Sequence, residues 1–120
     1  MSVRGIRGAT TAETNTRESI LSATRELLTA IVDANQLSIA DIASVYFTVT
    51  PDIDTAFPAR AARDLGWTDI ALIDAQAPHV IGDLSRCIRV LIHWNTERTA
   101  NEIVHMYLRE AKQLRPDRAK

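Results

Sequence analysis

The segment Arg86-Cys87-Ile88-Arg89-Val90-Leu91-Ile92-His93-Trp94 holds the side chain with the most to explain. Strand alternation sets Ile88, Val90 and Ile92 on one face and Cys87, Arg89, Leu91 and His93 on the other. Arg89 then sits in mid-strand between a cysteine and a leucine, where an unpaired buried charge is costly. It needs a counterpart: a protein acid in a structural ion pair, solvent, or an anionic ligand. Arg7 poses the same question, sharing a face with Val3, Gly5 and Ala9, whose small members leave room beside it. Two strand arginines with small or apolar neighbours could form an anion pocket. Arg60 and Arg63, three apart on one side of a helix, taken alone fit a solvated face better than a site.

Other chemistries find less support. His79, His93 and His105 show no ligand spacing and Cys87 has no second cysteine, so no metal site is expected. There is no Gly-rich phosphate loop and no nucleophile elbow. Tyr107, between Met106 and Leu108, is by default a core or interface aromatic. Of fourteen basic residues only Lys112 and Lys120 are lysine, and the rest offer the planar fork that grips a carboxylate with two bonds. An Arg-favouring genome also explains that total.

These side chains must be positioned by 120 residues, 46% apolar and 24% charged, with a net charge of −1. That balance argues against a nucleic-acid module, which needs a dense basic face. No apolar run approaches the ~20 residues of a membrane span. The opening Met1-Ser2-Val3-Arg4-Gly5 lacks a secretory apolar stretch, and a lone cysteine fits a reducing compartment. A cytoplasmic protein is expected.

Val3 to Thr11 reads as a first strand with Gly5 and Gly8 as points of close approach. Asn15, with Glu18 three residues on, predicts the cap of a long helix reaching about Asn35. Ala43 to Thr50 alternates cleanly, with Ser44, Tyr46, Thr48 and Thr50 on the polar face. Pro58 starts a second helix and Gly66 lies just past its end. Ile70 to Ile73 predicts a short strand, Asp74 to Asp83 a loop, and Arg86 to Trp94 another strand. Asn101 to Leu114 mixes helical spacing with a β-branched start and is taken as a final helix. The order predicts an α+β fold, a sheet layered with helices. About four strands and two substantial helices leave one sheet face open in a monomer, so oligomerisation should cover it.

Five segments in this order, Arg4-Gly5-Ile6-Arg7-Gly8-Ala9-Thr10-Thr11, Thr50-Pro51-Asp52 with Ala56-Phe57-Pro58-Ala59-Arg60, Arg86-Cys87-Ile88-Arg89-Val90, His105-Met106-Tyr107-Leu108 and Leu114-Arg115-Pro116-Asp117, resemble the monofunctional chorismate mutases of the trimeric α/β class. The resemblance spans one domain, residues 1–117, and leaves residues 118–120 as a frayed tail. It implies a mixed sheet with helices on one face, a pseudo-α/β-barrel homotrimer, and clefts between subunits. It implies conversion of chorismate to prephenate, toward phenylalanine and tyrosine, without a cofactor. In that reading Arg89 donates to the ether oxygen, Arg7 binds a substrate carboxylate and Tyr107 hydrogen-bonds the substrate. Phe57, Ala59 and Arg60 match a wall at the subunit boundary, while Arg63 and Arg115, beside Leu114, match the mouth.

Ile73-Asp74-Ala75-Gln76-Ala77 departs from that pattern. The family commonly has Glu where this chain has Ala77, its carboxylate on the substrate hydroxyl and near the arginines. Asp74, three residues earlier, could supply that charge by accepting the hydroxyl and pairing with Arg89 or Arg7. Alternatively it is a solvated strand end. Two other functions stay open on sequence: an imine deaminase of the same fold, and a noncatalytic trimer that binds an aromatic acid.

Overall fold

The computed structural model describes residues 2–114. Arg115, the Pro116-Asp117 pair and the expected tail at 118–120 lie outside the described residues. Five strands form one sheet: β1 (Ser2–Thr11), β2 (Ile42–Val49), β3 (Ala71–Gln76), β4 (Cys87–Thr96) and β5 (Met106–Tyr107), in the order β3-β2-β4-β1-β5. Strand β4 is antiparallel to both β1 and β2, whereas β3 and β5 add at the edges in parallel. Helices α1 (Arg17–Asn35) and α2 (Pro58–Asp64) cover a single face.

The core lies on that face. Leu27, Leu28 and Ile31 of α1 and Ala59 and Ala62 of α2 meet Ile6, Val45, Phe47, Val90 and Ile92 of the sheet. Gly8 sets how near α1 can come. A Cβ there would stand 2.8 Å from Ile31 Cδ1 and 3.1 Å from Val90 Cγ1. The glycine therefore lets helix and strand touch, and the alternation of β1 turns Arg7 and Ala9 to the opposite side. On that side Val3, Tyr46 and Ile73 are all at least half exposed. The sequence-level expectation of an α+β sheet with one open face agrees with these facts.

Three local readings need correction. Thr16, not Asn15, caps α1, its Oγ1 accepting from Ser19 N–H at 3.2 Å. Asn15 instead clasps the segment before α2, donating to Asp54 Oδ1 and accepting from Asp54 N–H and Thr55. Asp74, Ala75 and Gln76 are not loop: they extend β3, because the parallel pairing with β2 runs on through Phe47↔Asp74 to Val49↔Gln76. Residues 101–114 are not a helix. They make two 3₁₀ turns, Ala100–Glu102 and Arg109–Gln113, on either side of β5. Tertiary contacts override the helical spacing there. Buried Asn35 bonds both the N–H and the C=O of Val104, and Leu108 N–H donates to Ala9 C=O at 2.9 Å.

A polar joint fixes the start of β4. Thr50 Oγ1 accepts from Cys87 N–H and donates to Asp52, and Asp52 Oδ2 accepts from Arg86 N–H at 2.9 Å. Arg86 is held in the left-handed region, φ 49°, and exchanges bonds with Ala12. The ends of β1, β2 and β4 are thus tied three residues before Arg89. Burial raises the Asp52 carboxyl, but bonds from Thr50 and Arg86 N–H and the Arg86 charge outweigh it and hold the group below its ordinary 3.8. A carboxyl lowered by folding stabilises above its unfolded value, and that stabilisation disappears as pH falls through the folded one. Denaturation midpoints measured from about pH 7 to about pH 3 should therefore fall less steeply in Asp52→Asn than in the parent, and parallel curves would remove Asp52 from the acid response.

Candidate active site

Strand parity gathers the first group of candidate side chains. Across β1 and β4, Arg7 stands opposite Leu91 and Ala9 opposite Arg89; across β2 and β4, Tyr46 meets Leu91 and Thr48 meets Arg89. All six lie on the face away from the helices. Tyr107 of β5 is level with Ala9, and with Leu114 it borders the same depression. The result is a cleft of about 520 Å³ with mainly apolar walls and two guanidinium groups. Sequence reasoning anticipated Arg7, Arg89, Tyr107 and Leu114. Tyr46 and Thr48 were missed as site residues, although their place on the polar face of a strand was readable.

The two arginines differ electrostatically. Arg7 is exposed, its backbone N–H donates to His105 Nδ1 at 2.9 Å, and among the described residues its guanidinium has no carboxylate partner. Arg89 is more enclosed and donates from Nη2 to Asp83 Oδ1 at 3.3 Å. Nothing in the sequence singled out Asp83, since only the fold brings loop 77–86 back beside β4. Burial pushes the neighbouring Cys87 thiol up, against the opposing charge of Arg89. Cys87 is buried and does not border the cleft, and its raised thiol disfavours a thiolate. Among the described residues no three His, Cys, Asp or Glu side chains gather in a way that could hold a metal ion.

Among the described residues, the remaining expected site residues do not border this cleft. Phe57, Asp74, Ala75 and Gln76 border a second groove of about 390 Å³, joined by Arg17. Phe57 is 69% exposed. It occupies the N-cap of α2 and has no side-chain acceptor to offer, so Asp74 does that work from β3, taking Ala59 N–H at 3.0 Å. Asp74 pairs in register with Phe47, whose side chain is wholly buried under the helices, whereas Arg89 is level with Thr48 and Ala75 on the other face. Within one chain, then, Asp74 pairs with neither Arg89 nor Arg7. Burial raises its carboxyl, partly offset by the Ala59 hydrogen bond and the charge of Arg63.

Of the other residues, Ile73 is exposed on the open face, while Ala59 and Ala77 are buried. Arg60 pairs with Asp64 at 3.0 Å on the solvent side of α2, and Arg63 is exposed beside it. Arg115 falls outside the described residues.

A cleft built this way can bind a small anion with two carboxylates and present N–H donors to a further oxygen, without a nucleophile of its own. Residues 3–118 match the family model for chorismate mutase type I. Chorismate mutase AroH of Thermus thermophilus is 51% identical over 116 residues, covering 96% of this chain and 95% of that protein. Chorismate mutase AroH of Bacillus subtilis (strain 168) is 41% identical over 118 residues, covering 98% and 93%. A solved chorismate mutase from Clostridium thermocellum superposes with a TM-score of 0.89 at 47% identity, covering 91% of this chain and 97% of that one. Neither the deaminase nor the noncatalytic reading is favoured by these relatives. This chain belongs to the type I chorismate mutase family.

Proposed function

We propose that this protein catalyses the rearrangement of chorismate to prephenate in the cytoplasm, in clefts shared between the protomers of a homotrimer. One observation carries the reading: Arg7, Arg89 and Tyr107 converge on an apolar-walled cleft that, among the described residues, is lined by no cysteine or serine. The reaction asks for that and little more. It is an intramolecular Claisen rearrangement, in which one C–O bond breaks as one C–C bond forms and no group passes to the enzyme. The protein has to hold a flexible dicarboxylate in a compact chair-like shape and stabilise negative charge developing on the ether oxygen. Arg7, free of any carboxylate partner among the described residues, takes a substrate carboxylate. Arg89 donates to the ether oxygen, and a preorganised donor of this kind contributes ~3–4 kcal/mol to kcat. The Tyr107 hydroxyl adds a hydrogen bond from the wall.

The trimer is supported by the division of the site. On one chain the arginine cleft and the Phe57–Asp74 groove are separate concavities, and the open sheet face between the edges is rich in exposed apolar side chains. A neighbouring copy laid on that face would bury Val3, Tyr46 and Ile73 and bring its own Phe57 wall, with Arg60 and Arg63, to the mouth. Arg63 and Arg115 there would draw in a dianion, with an influence that fades as salt rises. In this arrangement Asp74 accepts the substrate hydroxyl from the neighbour's side, replacing the carboxylate absent at Ala77. Ile73, Ala75 and Gln76 shape that wall.

Three measurements test these statements. Purified protein should consume chorismate, and Arg89→Lys, which keeps the charge and loses the fork, should lower kcat by about a hundredfold or more; a lysine variant of undiminished kcat removes Arg89 from the reaction. Light scattering should give three times 13.3 kDa, about 40 kDa. A mass near that of one chain would leave the divided site unassembled. Asp74→Ala should lower kcat/KM by about tenfold and cost about 1 kcal/mol of stability through the lost α2 cap. Adding Ala77→Glu to that variant should restore turnover but not stability. An unchanged kcat/KM in Asp74→Ala leaves Asp74 as a helix cap alone.

A further inference from the structure

Arg89 is gripped by an acid that the family resemblance does not assign. Asp83 Oδ1 accepts from Arg89 Nη2 at 3.3 Å, and the same oxygen accepts from Leu84 N–H at 2.8 Å. Asp83 N–H in turn donates to Val80 C=O at 3.1 Å, closing a turn in which Gly82 has φ 87°. Leu84 packs against the cluster of Ala9, Tyr107 and Ala111, two of whose members border the arginine cleft. The carboxylate is therefore anchored to the cleft wall and not to a free loop tip. A solvated surface pair of this length would contribute little. Here the pair restrains the fork of the central cation of a site, using one of its five N–H donors and leaving the others for a ligand.

We propose that Asp83 is the positioning residue of Arg89, supplying from the same chain the acidic neighbour that is missing at Ala77. The inference rests on the reading of Arg89 as donor to the ether oxygen. A fixed carboxylate beside a cation does nothing to attract a dianion, and its charge opposes substrate binding. What it supplies is orientation: the guanidinium is already aimed when charge develops on the oxygen, so the effect belongs in kcat and not in KM.

Asp83→Asn in the full-length protein tests this, because the amide keeps an oxygen for Leu84 N–H while removing the charge. The expected result is a kcat about tenfold lower, a KM for chorismate unchanged or reduced, and an unchanged thermal midpoint. A kcat equal to or above that of the parent, or a loss carried by KM, overturns the proposal. A second readout needs no turnover. The ¹⁵N spectrum of the Arg89 side chain should show distinct, slowly exchanging Nη groups in the parent and averaged ones in Asp83→Asn. If the parent leaves chorismate untouched, the proposed reaction falls while this spectrum still decides the clamp: identical Arg89 signals in the two proteins refute it.

Discussion

The structure turns on one constraint: guanidinium groups must stand on an apolar sheet face without being neutralised outright. A cation in such a place either finds an acid and becomes structural or is left short of partners and becomes a site. The chain does both at once. Arg7 keeps its charge free of any acid among the described residues, while Arg89 gives a single N–H to Asp83 and retains the rest of its fork. The cleft thus has one tethered and one free guanidinium and a surplus of positive charge, which suits a small dianion far better than a neutral ligand.

That arrangement depends on packing across the sheet. Gly8 lets α1 press on β1, and each strand then shows its alternate residues to solvent. The same parity that buries Ile6, Val90 and Ile92 raises Arg7, Arg89 and Leu91 on the far side. A slip of one residue in β4 would bury Arg89 under the helices, so the core fixes the register that the chemistry requires. The joint of Thr50, Asp52 and Arg86 anchors that register at the strand end nearest to Arg89.

Much of this was legible in the residues. Alternation in 86–94 and 43–50, the Pro58 start and the Gly66 stop all follow from short-range rules, and so do the strands and helix they describe. What escaped was set by distant partners. Val104 and Leu108 stay out of a helix because Asn35 and Ala9 claim their backbone, which no local spacing announces. Asp74 reads as a loop residue until β2 is seen to continue beside it. The arginine pair of the site was visible as two unexplained strand cations. Asp83 was not, because an acid in a turn acquires meaning only when the turn folds back on Arg89.

Asp74 and Asp83 are one kind of side chain in two environments, and the proposed tasks follow from the difference. Asp83 lies against a guanidinium and shares its oxygen with a backbone N–H, so its charge is spent on geometry. Asp74 is half enclosed, its nearest cation more distant than a contact pair, and burial raises its carboxyl. A carboxylate held in that way is a better acceptor for a substrate hydroxyl than one already committed to an arginine, since binding recovers part of the solvation that folding removed. The alanine at 77 is therefore compatible with an intact electrostatic layout. In the proposed reading, the orientation of Arg89 and the recognition of the hydroxyl, which one glutamate can serve together, fall to two aspartates, one in the loop before β4 and one in β3.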